Sequence, residues 1–165
     1  LMNPKWEAMM GLWIENKNPA LAEFPTEAYC DWQWTDIVRG MRAVNIEKAP
    51  AQLQPIVQAI DDWNRNYKLG VVFECNVGPG RLVVCAPNIA TDLDKRPVAR
   101  QLRRSLLDYM ATAKFHPDTT LTTDQADALW PGPSKISPNP VRPQARPGDI
   151  RENPTAPRRR PPARP

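Results

Sequence analysis

Residues 69–86, reading LGVVFECNV then GPG then RLVVCA, constrain this chain more than any other stretch. Gly78-Pro79-Gly80 is turn chemistry between two runs rich in β-branched residues, so the spacing predicts an antiparallel hairpin of 69–77 with 81–86. A hairpin wet on one side would alternate apolar with polar residues. Here both parities are apolar, with Val71, Phe73, Cys75 and Val77 on one face and Val72, Leu82, Val84 and Ala86 on the other. The expectation is a sheet covered on both faces, as in the interior of a layered α/β domain.

The flanking sequence supplies candidate covering layers. Residues 9–15 (MMGLWIE) read as a buried strand ended by Asn18-Pro19, and Ile56, Val57 and Ile60 read as another strand. Between them, 20–34 reads as a packed loop leading into a helix, and 36–43 as a short helix weakened by Gly40. Further on, Asp94 can cap a helix and Pro97 suits its first turn. Val98, Leu102, Leu106, Tyr109, Met110 and Ala113 then recur at spacings of three and four, while Arg100, Arg103 and Arg104 fall elsewhere. The expected fold is thus α/β: a partial layered sheet of about four to five strands, covered by a long C-terminal amphipathic helix.

Proline marks the domain limits. Residues 131–165 hold 11 of the 20 prolines and no aromatic residue, with eight basic against two acidic residues, a net +6. That leaves 14 basic and 16 acidic residues, a net −2, on 1–130, so the basic balance of the whole chain belongs to its tail. Such a composition buries too little apolar surface to offset a chain entropy of about 1–2 kcal/mol per residue, and a disordered Pro/Arg-rich tail is expected. The domain expectation is an α/β unit over 1–117, a short connector over 118–130 and the tail over 131–165. The chain opens on Leu1 without a signal-peptide pattern, which reads as a piece of a longer protein truncated at its N-terminal side. Its localisation is then unreadable from the sequence itself.

Little in the chain resembles a reaction centre. The single histidine, His116, lies beside a proline far from any nucleophile motif, and Cys30, Cys75 and Cys85 lack metal-ligand spacing, so no cofactor, no metal and no catalytic residue is expected. Cys75 and Cys85 fall on neighbouring strands, where either a bridge or two buried thiols would fit. Glu74 sits mid-strand among apolar residues, where burial would raise its pKa; an arginine such as Arg81, or one on the long helix, is its expected partner. Asp61 and Asp62, adjacent at a strand end, point to opposite sides and make a poor catalytic pair.

Five of the six tryptophans lie in the first 63 residues. Trp32 and Trp34 share a parity in Trp32-Gln33-Trp34, and Trp63 sits in a polar run with Asp62, Asn64 and Arg65. Indole faces stack on sugar rings, and they equally fill cores and domain interfaces. Trp32, Trp34, Asp62, Trp63, Asn64 and Arg65 are therefore the candidate carbohydrate or interdomain contacts. A second reading is an interaction module whose arginines in the tail, Arg158-Arg159-Arg160 above all, bind polyanions or a protein partner. The acidic balance of 1–130 and the absence of a nucleic-acid motif count against nucleic acid, and no window is apolar enough for a membrane partner.

Three ordered series carry a family resemblance: residues 18–27 (NPALAEFPTE), Asp31-Trp32-Gln33-Trp34, and residues 54–66 (QPIVQAIDDWNRN). With residues 68–74, 77–82, 100–102 and 105–110, they resemble the C-terminal region of large bacterial glycoside hydrolase family 2 proteins over about residues 10 to 115. The resemblance implies a β-galactosidase-like or β-glucuronidase-like parent, with its catalytic carboxylates in an upstream barrel and none on this chain. It implies an accessory module laid out like glutamine amidotransferase-like domains without their nucleophile. The expected partners are upstream domains of the same polypeptide and oligosaccharide, in a periplasmic or secreted setting if the parent follows the family. Thr35 stands where the family pattern has a third tryptophan after Trp32-Gln33-Trp34, which departs from a three-ring platform.

Overall fold

A computed structural model of the chain describes residues 9–63 and 65–130. The strands are β1 (Gly11–Ile14), β2 (Val44–Asn45), β3 (Val57–Ile60), β4 (Lys68–Val77), β5 (Gly80–Cys85) and β6 (Thr120–Leu121). The helices are α1 (Trp32–Val38), α2 (Pro97–Met110) and α3 (Thr123–Leu129), with a 3-10 turn at Pro19–Leu21. They form one mixed six-stranded sheet about β4. Its path runs β1-β3-β4-β2, with β5 and β6 also on β4, and every pairing is antiparallel except β4 with β6.

This corrects the expected α/β layering of four or five strands under a long C-terminal helix. The sheet has six strands, the helices are short, and the amphipathic helix α2 has 14 residues and is followed by β6 and α3. The short strands β2 and β6 escape a reading by periodicity because two residues have no period. Residues 118–130, expected as a connector, contain β6 and α3 and bury Leu121 and Leu129. The capping box of Thr122 and Gln125 sets the start of α3. The tail lies outside the described residues.

The sheet is covered on both faces, but the faces divide differently from strict alternation. Val57 pairs with Val72 while Gln58 pairs with Gly70, so Val71 is an extra residue in β4, a bulge. The bulge places Leu69, Val71 and Val72 together in the larger core with Leu102, Leu106, Trp34 and Ile37. Phe73 and Cys75 join the second core with Ile46, Leu53, Leu121 and Leu129. Val84 pairs with Phe73 and Leu82 with Cys75, so these residues of β5 share the Phe73 face rather than opposing it. A fully apolar run carries no phase information, and one extra residue exchanges its faces unnoticed. Gly70 permits the arrangement, since a Cβ there would stand 2.8 Å from the Phe73 ring.

Local signals place the helices. Asp31 caps α1 by accepting from the Gln33 amide at 3.2 Å, so the helix starts at Trp32 and includes residues expected in a loop. It stops at Val38 because Gly40 takes φ +69, a C-terminal stop rather than a weak interior position. At α2, Pro97 opens the helix as expected, but the capping position belongs to Arg96 and not Asp94. Arg96 instead ties α2 to α1, its Nε donating to Asp36 Oδ2 at 2.9 Å. Within α2, Ser105 donates to the Ala20 carbonyl at 2.7 Å and accepts from the Glu23 amide at 3.1 Å, which joins the helix to the 3-10 turn.

Candidate functional site

The three candidate tryptophans divide into one core residue and two surface residues. Trp32 and Trp34 are two apart in a helix, not in a strand, so their side chains leave the axis about 200° apart. Trp34 is wholly buried, its Nε1 donating to Thr26 Oγ1 at 2.8 Å and its ring edge-on to Phe24 at 5.4 Å between centroids. Trp32, in the first turn of α1, is 91% exposed. An aromatic platform built on both neighbours is therefore excluded.

Trp63 stands at the apex of a turn that two carboxylates hold closed. Arg65 Nη2 lies 2.6 Å from Asp61 Oδ1 and 2.7 Å from Asp62 Oδ2. The Arg65 amide donates to Asp62 Oδ1 at 3.1 Å, and the Tyr67 amide donates to Asp61 Oδ2 at 3.2 Å. Asp61 and Asp62 thus converge on one guanidinium instead of pointing apart. Asn66 closes the turn at φ +49, a left-handed conformation that asparagine tolerates. Burial alone would raise the Asp61 carboxyl, but the Asp62 and Tyr67 backbone and the Arg65 guanidinium outweigh it and hold it below its usual value. Asp62 and Arg65 are thereby structural, and Trp63 is left 85% exposed. Asn64 lies outside the described residues.

A polar cleft elsewhere was not legible in the sequence. It has a volume of about 280 Å³, and Glu15, Asn18, Gln54, Glu74, Asp118 and Thr119 are among the residues lining it. Glu74 reaches it from β4 and accepts the Tyr109 hydroxyl at 2.8 Å, so its expected arginine partner is replaced by a phenol of α2. Arg81 instead donates to the Phe115 carbonyl and lies over the Phe115 ring. Burial pushes the Glu74 carboxyl up; the Tyr109 bond opposes this, and Asp118 and Glu15 add to it. Only Glu74 carried a signal, as an acid in an apolar strand. Glu15 and Asp118 reach the cleft through long-range packing.

Among the described residues, no group of three His, Cys, Asp or Glu could hold a metal ion. Nor does any helix there have the length and apolarity to cross a membrane. Cys30, Cys75 and Cys85 are free thiols; Cys75 faces the second core, whereas Cys85 packs against the first, so neighbouring strands do not bring them together.

A family model described as a domain of unknown function, DUF8487, matches residues 1–131. The chain belongs to the DUF8487 family. No curated protein matches it. The DUF8487 match includes all six strands and three helices, together with Trp32, Trp63 and the polar cleft, and leaves the Pro/Arg-rich residues beyond it.

Proposed function

We propose that this DUF8487 domain is a non-catalytic accessory module of a family 2 glycoside hydrolase acting on β-galactosides or β-glucuronides. In this reading it packs against upstream domains of the same polypeptide and contacts carbohydrate through Trp32 and Trp63. The observation that carries the reading is the division of labour within the motifs of the family resemblance. Phe24, Trp34, Asp61 and Arg65 are consumed by packing and turn closure, whereas the Trp32 and Trp63 indoles stack on no ring among the described residues and are largely exposed. Exposed indoles held by a capped helix and an ion-paired turn suit stacking on the apolar face of a sugar or on a neighbouring domain.

Titration of the chain with a panel of β-linked galactosides and glucuronides tests the reading by tryptophan fluorescence. A spectral change lost in a Trp32→Ala, Trp63→Ala double variant is the expected result. Hydrolysis of nitrophenyl galactoside or glucuronide by this chain alone, lost in Glu74→Gln, would instead make it an enzyme in its own right. The gene context is a second check: an upstream barrel carrying two glutamates in the same reading frame is expected.

A further inference from the structure

The polar cleft beside Glu74 is built from stretches of chain far apart in sequence. Glu15 and Asn18 come from the turn that ends β1, Gln52 and Gln54 from the loop before β3, Glu74 from β4, and Asp118 and Thr119 from the approach to β6. Hydrogen bonds hold these stretches in place. The Glu15 amide donates to the Ile56 carbonyl and the Asn18 amide to the Glu15 carbonyl, both at 2.9 Å. Asn76 donates its amide to the Thr119 carbonyl and its side chain to the Pro117 carbonyl, both at 2.7 Å. The volume of about 280 Å³ lies near the lower end of the range for small-molecule pockets, about 300–1,000 Å³.

Two observations point to a ligand. Thr119 lines the cleft and is only 8% exposed, yet its hydroxyl has no hydrogen-bond partner among the described residues. That oxygen is not sealed off, as Arg65 Nε is, so its remaining opening is the cleft. A buried hydroxyl without a partner forfeits roughly 1–3 kcal/mol, which an occupant of the cleft recovers. The second observation is charge. Glu15, Glu74 and Asp118 form no ion pair among the described residues, and no lysine or arginine lines the cleft. Burial raises the Glu74 carboxyl, the Tyr109 bond opposes this, and the charges of Asp118 and Glu15 raise it again, with His116 a smaller counterweight.

The lining selects the ligand by exclusion. An anion is repelled. A metal ion needs oxygens converging within about 2.0–2.6 Å, and no group of three acidic, histidine or cysteine residues does so among the described residues. A neutral ligand would strip water from carboxylates without compensating their charge. An ammonium group compensates it and makes charge-assisted hydrogen bonds. The carboxamides of Gln52 and Gln54 and the Thr119 hydroxyl supply further donors and acceptors, whereas Ile56 is the one apolar residue of the lining. Hydroxyl groups beside the ammonium therefore suit this cleft better than a hydrocarbon chain.

We propose that the cleft binds a small hydroxylated primary ammonium compound, of which an amino sugar is the type, with its ammonium between Glu15 and Asp118 and its hydroxyls on Thr119, Gln52 and Gln54. Neither Trp32 nor Trp63 lines the cleft, so the inference stands apart from the tryptophan contact.

Calorimetric titration of the full chain near neutral pH and at low salt, with glucosamine, glucose and cyclohexylamine as probes, is the test. Glucose lacks the ammonium and cyclohexylamine lacks the hydroxyls, so each should bind at least tenfold more weakly than glucosamine. In nitrogen-15 spectra, glucosamine should shift the amides of Asn18, Gln52, Glu74 and Thr119. Glu15→Gln combined with Asp118→Asn, two exposed positions whose change leaves the core intact, should weaken glucosamine at least tenfold. Thr119→Val should weaken it at least threefold; if that variant does not fold, the carboxylate variant decides. The Trp32→Ala, Trp63→Ala double variant should bind glucosamine as the parent does. No binding up to tens of millimolar glucosamine, equal binding of glucose or cyclohexylamine, indifference to the carboxylate changes, or loss in the tryptophan variant overturns the proposal.

Discussion

Tyr109 donates its hydroxyl hydrogen to Glu74 Oε2 across 2.8 Å, joining helix α2 to the central strand at the edge of a polar cleft. Burial raises the carboxyl of Glu74 above its ordinary 4.5, so the folded state holds that proton more tightly than the unfolded chain does. Stability linked to this group therefore declines as pH climbs from about 4.5 through the raised folded value. Glu74→Gln keeps an oxygen to accept from Tyr109 and removes the charge. Melting curves should show the variant more stable than the parent at pH 7, with the difference vanishing near pH 4, about the ordinary carboxylate range. A variant less stable at neutral pH, or a difference independent of pH, contradicts this account.

The two tryptophans of α1 should respond to mutation in opposite ways. Trp34→Ala removes a buried ring and its bond to Thr26, at a cost of about 3–5 kcal/mol. Trp32→Ala and Trp63→Ala should each change stability by less than about 0.5 kcal/mol, because their indoles are in water. Urea denaturation of the three variants is the measurement.

Asp61 is the inward anchor of the 61–67 turn, and its substitution should be felt in acid. Its folded pKa lies below the ordinary 3.8, so its contribution is complete above that value and is lost as pH falls through the folded one. Asp61→Asn should cost about 2 kcal/mol at pH 7, less than the loss of a fully buried pair, because Arg65 is partly solvated and keeps Asp62. The variant should also lose the acid-side slope of the parent's stability curve. A variant as stable as the parent at pH 7 argues that Asp62 holds Arg65 alone.

Gly70 and Phe73 form a steric pair across the bulge. A methyl group at Gly70 would meet the Phe73 ring at 2.8 Å, so Gly70→Ala should cost about 1–3 kcal/mol in overpacking. Phe73→Leu on its own leaves a cavity. Combined with Gly70→Ala it should cost less than the two single changes added together, and a double-mutant cycle reads the difference.

The thiols give a chemical check on the strand faces. Cys75 and Cys85 pack in different cores, and burial pushes the Cys85 thiol up to about 12. Mass spectrometry after alkylation in denaturant should find three free cysteines, while native protein should be labelled slowly at Cys85. A mass two hydrogens short of three thiols would mean that a bridge forms.

The hairpin was legible because its turn residues and its two apolar runs agree. Strand β4 was legible for the same reason, while three-and-four spacing marked the apolar face of α2 but not its end at Met110 nor the β6 and α3 that follow it. The bulge was not, since Val71, Val72 and Phe73 are interchangeable to any count of hydrophobic residues. The separation of Trp32 from Trp34 was not legible, because shared parity says nothing of burial, and in the helix that Asp31 caps, residues two apart send their rings opposite ways. Of the candidate site, Trp63 and its polar run were visible in sequence. The convergence of Asp61 and Asp62 on Arg65, and of Glu15 and Asp118 on Glu74, was not, because each depends on where the backbone turns.

Local chemistry written in the chain determined that a two-faced hairpin would form, that an amphipathic helix would need a surface to cover, and that charge and proline would gather beyond residue 130. Tertiary structure alone decided which face each apolar residue took, which tryptophan was spent on the core, and which carboxylate met a phenol instead of a guanidinium. The reason is physical: pattern and propensity act over a few neighbouring residues, whereas register, burial and electrostatic partners are settled only when distant segments compete for the same space.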